Sequence, residues 1–427
     1  MSVITYFQSS VQKNPVLKSV GVYTFIMFLN KGISFLLLFI YTNPAFISPA
    51  ENGLLNLFSS SVLFLMPFLS MGILQSTSTD FYKLNKEEFK SFFTSNLIPP
   101  LIVFALSLAG FFLLKDYLKA AYGFPYIFFF LIPFVTFLNY ISEQLTVLMR
   151  VSNELKSFAR VELAKIILEF GLSVVLVVFF AMRWKGRLTG IVISYSLLGL
   201  YAFYYFYKKG YISGILNKRY IKNELLYAIP VVTMQVSIFS LNTADKFFLA
   251  HFKSNEVVGI YGVACTFAAV ISMFCYAYLS YLSPSIYQEL SKPVTDYKLL
   301  KKNFINYVKI MFGVTIFTIL LIPFVYHYLI NSRYESAVNY FYLIALGYFI
   351  WAITSYFFSY LFYYKAKRKI LQISLLSIIA STTCLYFFTH AMGAKGAAIG
   401  ILLSYAITFG ITLLFAKTYI TKIFNYK

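Results

Sequence analysis

Long, unbroken apolar stretches are the feature that most restricts what this chain can become. They fall near 18–42, 53–79, 92–114, 125–149, 161–182, 188–207, 226–250, 259–283, 304–330, 337–363, 370–392 and 396–416. Each is about 20 to 27 residues, enough at 1.5 Å per residue to cross roughly 30 Å of hydrocarbon with some tilt. Within a bilayer no water satisfies backbone N–H and C=O groups, so a spanning segment is a helix or part of a closed barrel. Barrel strands read as short alternating segments, whereas these stretches are continuous. The expected fold class is an all-α polytopic membrane protein of about twelve transmembrane helices. Composition agrees, since 12% of the 427 residues are charged and 60% are hydrophobic. A soluble domain carries about a quarter charged residues to cover its surface.

Orientation follows from the basic residues between stretches. Alternate connections beginning with the N-terminal segment hold 24 Lys and Arg, and the opposite set holds 8. The bias places both termini in the cytoplasm and accounts for most of the net +21 charge without a nucleic-acid partner. The longest basic connection starts at Lys208, so the expected organisation is an N-terminal six-helix lobe at 1–207, a cytoplasmic linker at 208–225 and a C-terminal lobe at 226–427. An internal repeat supports the division. Lys185-Gly186-Arg187-Leu188-Thr189-Gly190-Ile191 opens the sixth stretch, and Lys395-Gly396-Ala397-Ala398-Ile399-Gly400-Ile401 opens the twelfth. A weaker echo pairs Ser48-Pro49-Ala50-Glu51-Asn52-Gly53 with Ser254-Asn255-Glu256-Val257-Val258-Gly259. Two six-helix halves related this way form a parallel repeat about an axis along the membrane normal. The paired glycines are also small-xxx-small motifs that let helices approach closely.

Ionisable groups deep in a bilayer are costly, and they face a bundle interior or an aqueous cavity. Lys31 lies about twelve or thirteen residues from both ends of the first stretch, roughly 18 to 20 Å along a helix, too far for its amine to reach water. It either lines a cavity or belongs to a buried pair, with Asn30 and Ser34 adding polarity beside it. In the fifth stretch Glu162, Lys165 and Glu169 share one helical face. Glu169 suits an ion-coupling site, and an internal Lys165–Glu169 pair is the alternative. Glu143 is placed to join the same patch. The seventh stretch carries Gln235, Asn242, Asp245 and Lys246, for which substrate contact competes with local capping or snorkelling.

Enzymatic signals are absent: no phosphate-cradling loop, no nucleophile constellation and no metal-ligand spacing among His251, His327 and His390. No cofactor is implied. Cys265, Cys275 and Cys384 all lie inside apolar stretches and read as small packing residues. The N-terminal segment lacks the features of a cleaved secretory signal.

The run Asn242-Thr243-Ala244-Asp245-Lys246 followed by Ser254-Asn255-Glu256-Val257-Val258-Gly259-Ile260-Tyr261-Gly262-Val263-Ala264 resembles the central segment of Wzx-type polysaccharide flippases. Glu51-Asn52-Gly53 resembles its first-half counterpart. The resemblance implies two six-helix lobes around a central cavity, a fold shared with multidrug exporters of the same superfamily. It also implies a function: moving undecaprenyl-diphosphate-linked sugar units between leaflets of the bacterial cytoplasmic (inner) membrane by alternating access. The product would be O antigen of lipopolysaccharide, capsule or another glycan, with a polysaccharide polymerase and a chain-length regulator as candidate partners. On this reading Lys31 and then Lys246 would hold the diphosphate. A cation-coupled multidrug exporter of the same fold and a membrane glycosyl-transferring enzyme or polymerase are the alternatives.

Overall fold

The computed structural model describes residue 29 and residues 32–33, 37–212 and 214–424. Every regular element among the described residues is helical. Helix α1 (Pro49–Ser70) starts on a complete cap: Glu51 N–H donates to Ser48 Oγ at 3.3 Å, and Ser48 N–H donates to Glu51 Oε2 at 2.8 Å. Pro49 fills the first helical position, where a missing N–H costs nothing. The helix stops at Met71 and Gly72, both left-handed at φ 45° and 82°. Next come α2 (Ile73–Asp80), α3 (Lys86–Ser95), α4 (Ile98–Leu113), α5 (Lys115–Tyr122), α6 (Tyr126–Val151) and α7 (Leu155–Ile166). The chain then passes through π-helical turns at Ile167–Gly171 and Val175–Phe179 into α8 (Arg183–Lys208). The C-terminal half comprises α9 (Lys218–Asn242), α10 (Asp245–Phe252), α11 (Asn255–Leu290), α12 (Tyr297–Leu329), α13 (Ala337–Tyr363) and α14 (Lys367–Phe424). Helix α14 folds back on itself at Gly393, whose φ of 60° and ψ of −132° glycine adopts without strain.

Nine helices among the described residues are long and apolar enough to cross a membrane. They account for the expected spans as follows. The first apolar stretch lies partly outside the described residues, with 37–41 helical. The fifth is broken by the π turns, and the last two are the two arms of α14. The seventh helix begins at Lys218, eight residues before the apolar stretch does, because Asn217 Oδ1 accepts from Arg219 N–H and caps it. The connection from α8 is therefore short, and it is tied to α3: Thr94 Oγ1 donates to Tyr211 O at 3.0 Å, and Asn217 N–H donates to Ser95 Oγ at 2.8 Å. Lys209 closes this end with a 2.6 Å ion pair to Glu154.

One buried core sits in the N-terminal half, where Leu69, Phe93, Tyr140 and Phe206 join α1, α3, α6 and α8. A second runs from Phe58 and Phe128 through Tyr261 to Tyr348 and Tyr405, knitting α1 and α6 to α11, α13 and α14. Phe312, Leu320 and Phe324 are exposed on α12 away from the other helices' core, an apolar exterior that only lipid tolerates.

Both sequence repeats become packing devices. Away from the linker, α1 crosses α11 so closely that a Cβ on Gly53 would run into the carbonyl oxygen of Asn255. One on Gly259 would run into that of Pro49, and one on Gly262 would meet Asn56. The offset of 206 carries Pro49, Gly53 and Asn56 onto Asn255, Gly259 and Gly262. The contacts are therefore reciprocal, as an axis between two related halves requires. The stronger repeat packs consecutive helices within each half. Gly186 and Gly190 admit Leu176 and Ser173 of the fifth stretch, and Gly396 and Gly400 admit Phe388 and Leu385 of the eleventh.

Candidate functional site

A cavity of about 1,260 Å³ lies between the halves, walled by α1, α9, α11, α12 and α13. The α1–α11 crossing closes the molecule at the end away from the linker. Three features of α9 and α10 furnish the cavity with polarity. Gln235 lines it outright. Asn242 lines it while accepting a 2.6 Å hydrogen bond from Tyr405 Oη and donating one of 2.7 Å to Ile238 O, so its amide also ties α9 to α14. The third is the break after Asn242: Thr243 leaves helical geometry at φ −145° and the chain restarts at Asp245. Irregular backbone at membrane depth is tolerated where it lines a cavity, and Thr243 does so.

The break turns Asp245 and Lys246 in opposite senses. Asp245 is wholly buried; its Oδ1 accepts from Lys246 N–H at 2.9 Å and its Oδ2 from Cys265 Sγ at 3.9 Å. It supports the break from behind. Lys246 is half-buried and lines the cavity, and it is the only charged side chain among the described residues that does. No ion pair of the described residues includes it. Lys31, Asn30 and Ser34 lie outside the described residues; Gly32, beside Lys31 in sequence, lines the cavity.

A second polar constellation occupies the N-terminal half, and none of its members lines the cavity. Lys165, 7% exposed, has its Nζ 3.3 Å from Glu143 Oε1 and 5.3 Å from the Tyr195 ring centre. Glu169 lies on the first π turn and pairs with Arg187 at 2.8 Å, not with Lys165. Arg187 also donates to Ser173 Oγ at 3.0 Å and stacks near Tyr41 and Phe170. Glu162 stands beside Lys165 and within electrostatic reach of Arg150, so three carboxylates meet Lys165 and Arg187 inside the cluster and Arg150 at its edge. Sequence reasoning assigned Arg187 to an outer connection and missed this role. A signal was present, because the stronger repeat matches Arg187 to Ala397, and a charge where its counterpart is alanine marks a function that only one half has. Among the described residues, no cluster of His, Cys, Asp or Glu could hold a metal ion.

Comparisons with known proteins agree with this architecture. An inward-facing multidrug resistance MATE family transporter of the MOP superfamily superposes with a TM-score of 0.67 at 14% identity, over 91% of this chain and 95% of that one. The lipid II flippase MurJ in an inward closed conformation gives 0.68 at 12% identity, over 92% and 87%. The MATE multidrug transporter DinF-BH gives 0.64 at 15%, over 96% of each chain. At such identities the likeness establishes the exporter fold. No curated protein matches the sequence significantly. Residues 16–289 match the family described as polysaccharide biosynthesis protein, a span of well over half the chain, and the chain belongs to that family.

Proposed function

We propose that this protein is a flippase that moves polyprenyl-diphosphate-linked sugar units, of the undecaprenyl type, from the cytoplasmic to the outer leaflet of a bacterial cytoplasmic membrane for surface polysaccharide assembly. One observation carries the reading: the charged side chain that the described cavity lining offers is an amine, Lys246, with no carboxylate in that lining and no ion pair among the described residues, Asp245 lying behind it. An unpaired cation in a low-dielectric chamber attracts an anionic head group, and a diphosphate offers several acceptor oxygens to an ammonium donor. Gln235 and Asn242 add neutral hydrogen-bonding groups on the same wall. Lys31, with Asn30 and Ser34, lies outside the described residues and is proposed as a further diphosphate-binding group on its depth in the first apolar stretch alone. The tail is assigned to the α12 side, where Phe317 and Leu321 line the cavity yet are 66% and 43% exposed.

The six-helix lobes at 1–207 and 226–427 would rock against each other so that the α1–α11 crossing opens and closes, with the 208–225 region and both termini in the cytoplasm. The cluster of Glu143, Glu162, Lys165, Glu169 and Arg187 is the proposed ion-coupling element, because carboxylates held this deep can exchange their cationic partners for a proton or another cation. An exporter of organic cations would need an acid facing the cavity, and the described lining has none.

The test is transport in proteoliposomes of a fluorescent short-chain prenyl diphosphate bearing one sugar. Protected label should accumulate with the intact protein and fail to with Lys31→Ala at equal abundance, with partial recovery in Lys31→Arg. Transport of cationic dyes in its place would overturn the assignment.

A further inference from the structure

A second, smaller cavity of about 250 Å³ adjoins the first and shares Ile238 and Tyr276 with it. It lies within the C-terminal half, walled by α9, α11, α13 and α14. Its lining is unlike that of the main chamber. Hydroxyls approach from four helices, with Ser237 on α9, Ser283 on α11, Ser355 on α13 and Ser374 on α14. Aromatic rings form the rest of the wall: Trp351 and Tyr276 are joined by a 3.3 Å hydrogen bond, and Phe358 lies one side of them. No charged side chain among the described residues lines it.

These hydroxyls are poorly satisfied. Ser283 and Ser359 reach each other at a weak 3.4 Å. Ser355 is 8% exposed, and its Oγ meets no oxygen or nitrogen partner; its polar neighbour is the Cys275 thiol, a weak partner that is itself engaged with Tyr307 Oη at 3.3 Å. A buried hydroxyl without a partner costs about 1–3 kcal/mol, and each hydroxyl can both donate and accept.

We propose that this side pocket binds one neutral sugar ring of the lipid-linked unit, next to the chamber that holds the diphosphate. The inference rests on the flippase reading and adds to it the chemistry of the sugar nearest the carrier. A sugar presents hydroxyls around its rim and C–H groups on its faces, which matches serines on several sides and rings on the rest. The volume is below the ~300–1,000 Å³ of pockets for drug-sized ligands, so it admits a ring and not a chain. Burying a uronic acid here would leave an unpaired carboxylate in a low-dielectric site, which is strongly unfavourable. A bare metal cation is disfavoured too, because hard cations are held by sets that include carboxylates and none is present.

The chain has two tryptophans, so Trp184→Phe leaves Trp351 as the sole tryptophan, inside the pocket and excited selectively at the red edge of aromatic absorption. The full-length protein in nanodiscs is titrated with a short-chain prenyl diphosphate in three forms: bare, bearing glucose, galactose or N-acetylglucosamine, and bearing glucuronic acid. The neutral forms should change Trp351 emission and bind about tenfold tighter than the bare one. Ser355→Ala should remove that advantage while leaving the bare form's affinity unchanged. Equal binding of bare and neutral forms, or an unaffected Ser355→Ala variant, overturns the pocket and leaves the flippase reading standing. A glucuronic form as tight as the neutral ones overturns the neutral assignment, and a Trp351 response to sodium in place of choline reassigns the hydroxyls to a cation. Silence toward every diphosphate sinks both readings together.

Discussion

Lys246 reaches the cavity because α9 stops at Asn242, and that local break determines what its amine meets. A charge-assisted hydrogen bond to a ligand is worth roughly 1.5–3 kcal/mol, or about 10- to 150-fold in affinity. Lys246→Ala should therefore weaken binding of a bare prenyl diphosphate by at least tenfold in equilibrium titration, and Lys246→Arg should keep most of it. Equal affinities would remove the amine from the site. The Glu169–Arg187 pair is a different case, since both side chains are 15% exposed. Arg187→Leu leaves an unpaired carboxylate, which costs about 3–5 kcal/mol for a buried pair, and Arg187→Leu with Glu169→Leu should recover most of that loss in thermal unfolding. An Arg187→Leu variant as stable as the parent would refute the pairing. In the sequence, depth drew attention to Glu169, a shared helical face to Lys165, and the acidic-basic pair of the flippase resemblance to Lys246. Glu143 was already placed in the patch, but Arg187 was not legible as the partner of Glu169, because a helix-face pattern reports neighbours on one helix and Arg187 arrives from another.

Among the elements, the helices were legible wherever a stretch was long and evenly apolar, and obscure wherever a polar device reset a boundary. The start of α9 depends on the Asn217 cap, and the π turns of the fifth stretch leave no signature in hydrophobic periodicity. The linker end has a pH signature of its own. Burial would raise the Glu154 carboxyl, but hydrogen bonds from Lys209 and Tyr205 outweigh it and hold the group below its ordinary value. The hydrogen bond to Glu154 in turn raises Lys209. A depressed carboxylate stabilises the fold above its unfolded value, near 4.3, and that contribution is lost as pH falls through the lower folded value. Lys209 contributes below its unfolded value and loses this only as pH rises through the raised folded one. The pair is thus intact across the neutral range. Thermal stability should drop by up to about 1 kcal/mol in the acid window, a size set by the pair's solvent exposure, and Glu154→Gln should flatten that segment of the profile. An unchanged acid profile in that variant would show that the pair contributes nothing.

For the molecule as a whole, the internal repeat was the most informative sequence feature, and it carried more than an organisational hint. Its weaker echo supplies both sides of the α1–α11 crossing, so the same short motif, met by its own copy, seals the end away from the linker. Glycine at 53 and 259 lets the backbones touch, and that intimacy is suited to a contact that must form and part as a unit. Transport by rocking requires the crossing to open once per cycle. A built Cβ on Gly262 lies 2.8 Å from the Asn56 side chain, so cysteines at both positions fall within the roughly 3.5–4.5 Å Cβ separation of a disulfide. In a background with Cys265, Cys275 and Cys384 replaced by alanine or serine, oxidised Asn56→Cys/Gly262→Cys protein should bind the prenyl diphosphate from the linker side. It should not transport, and reductant should restore transport. Full transport by the oxidised, cross-linked protein would mean that the halves never separate at this end, and rocking that opens the crossing would have to be abandoned.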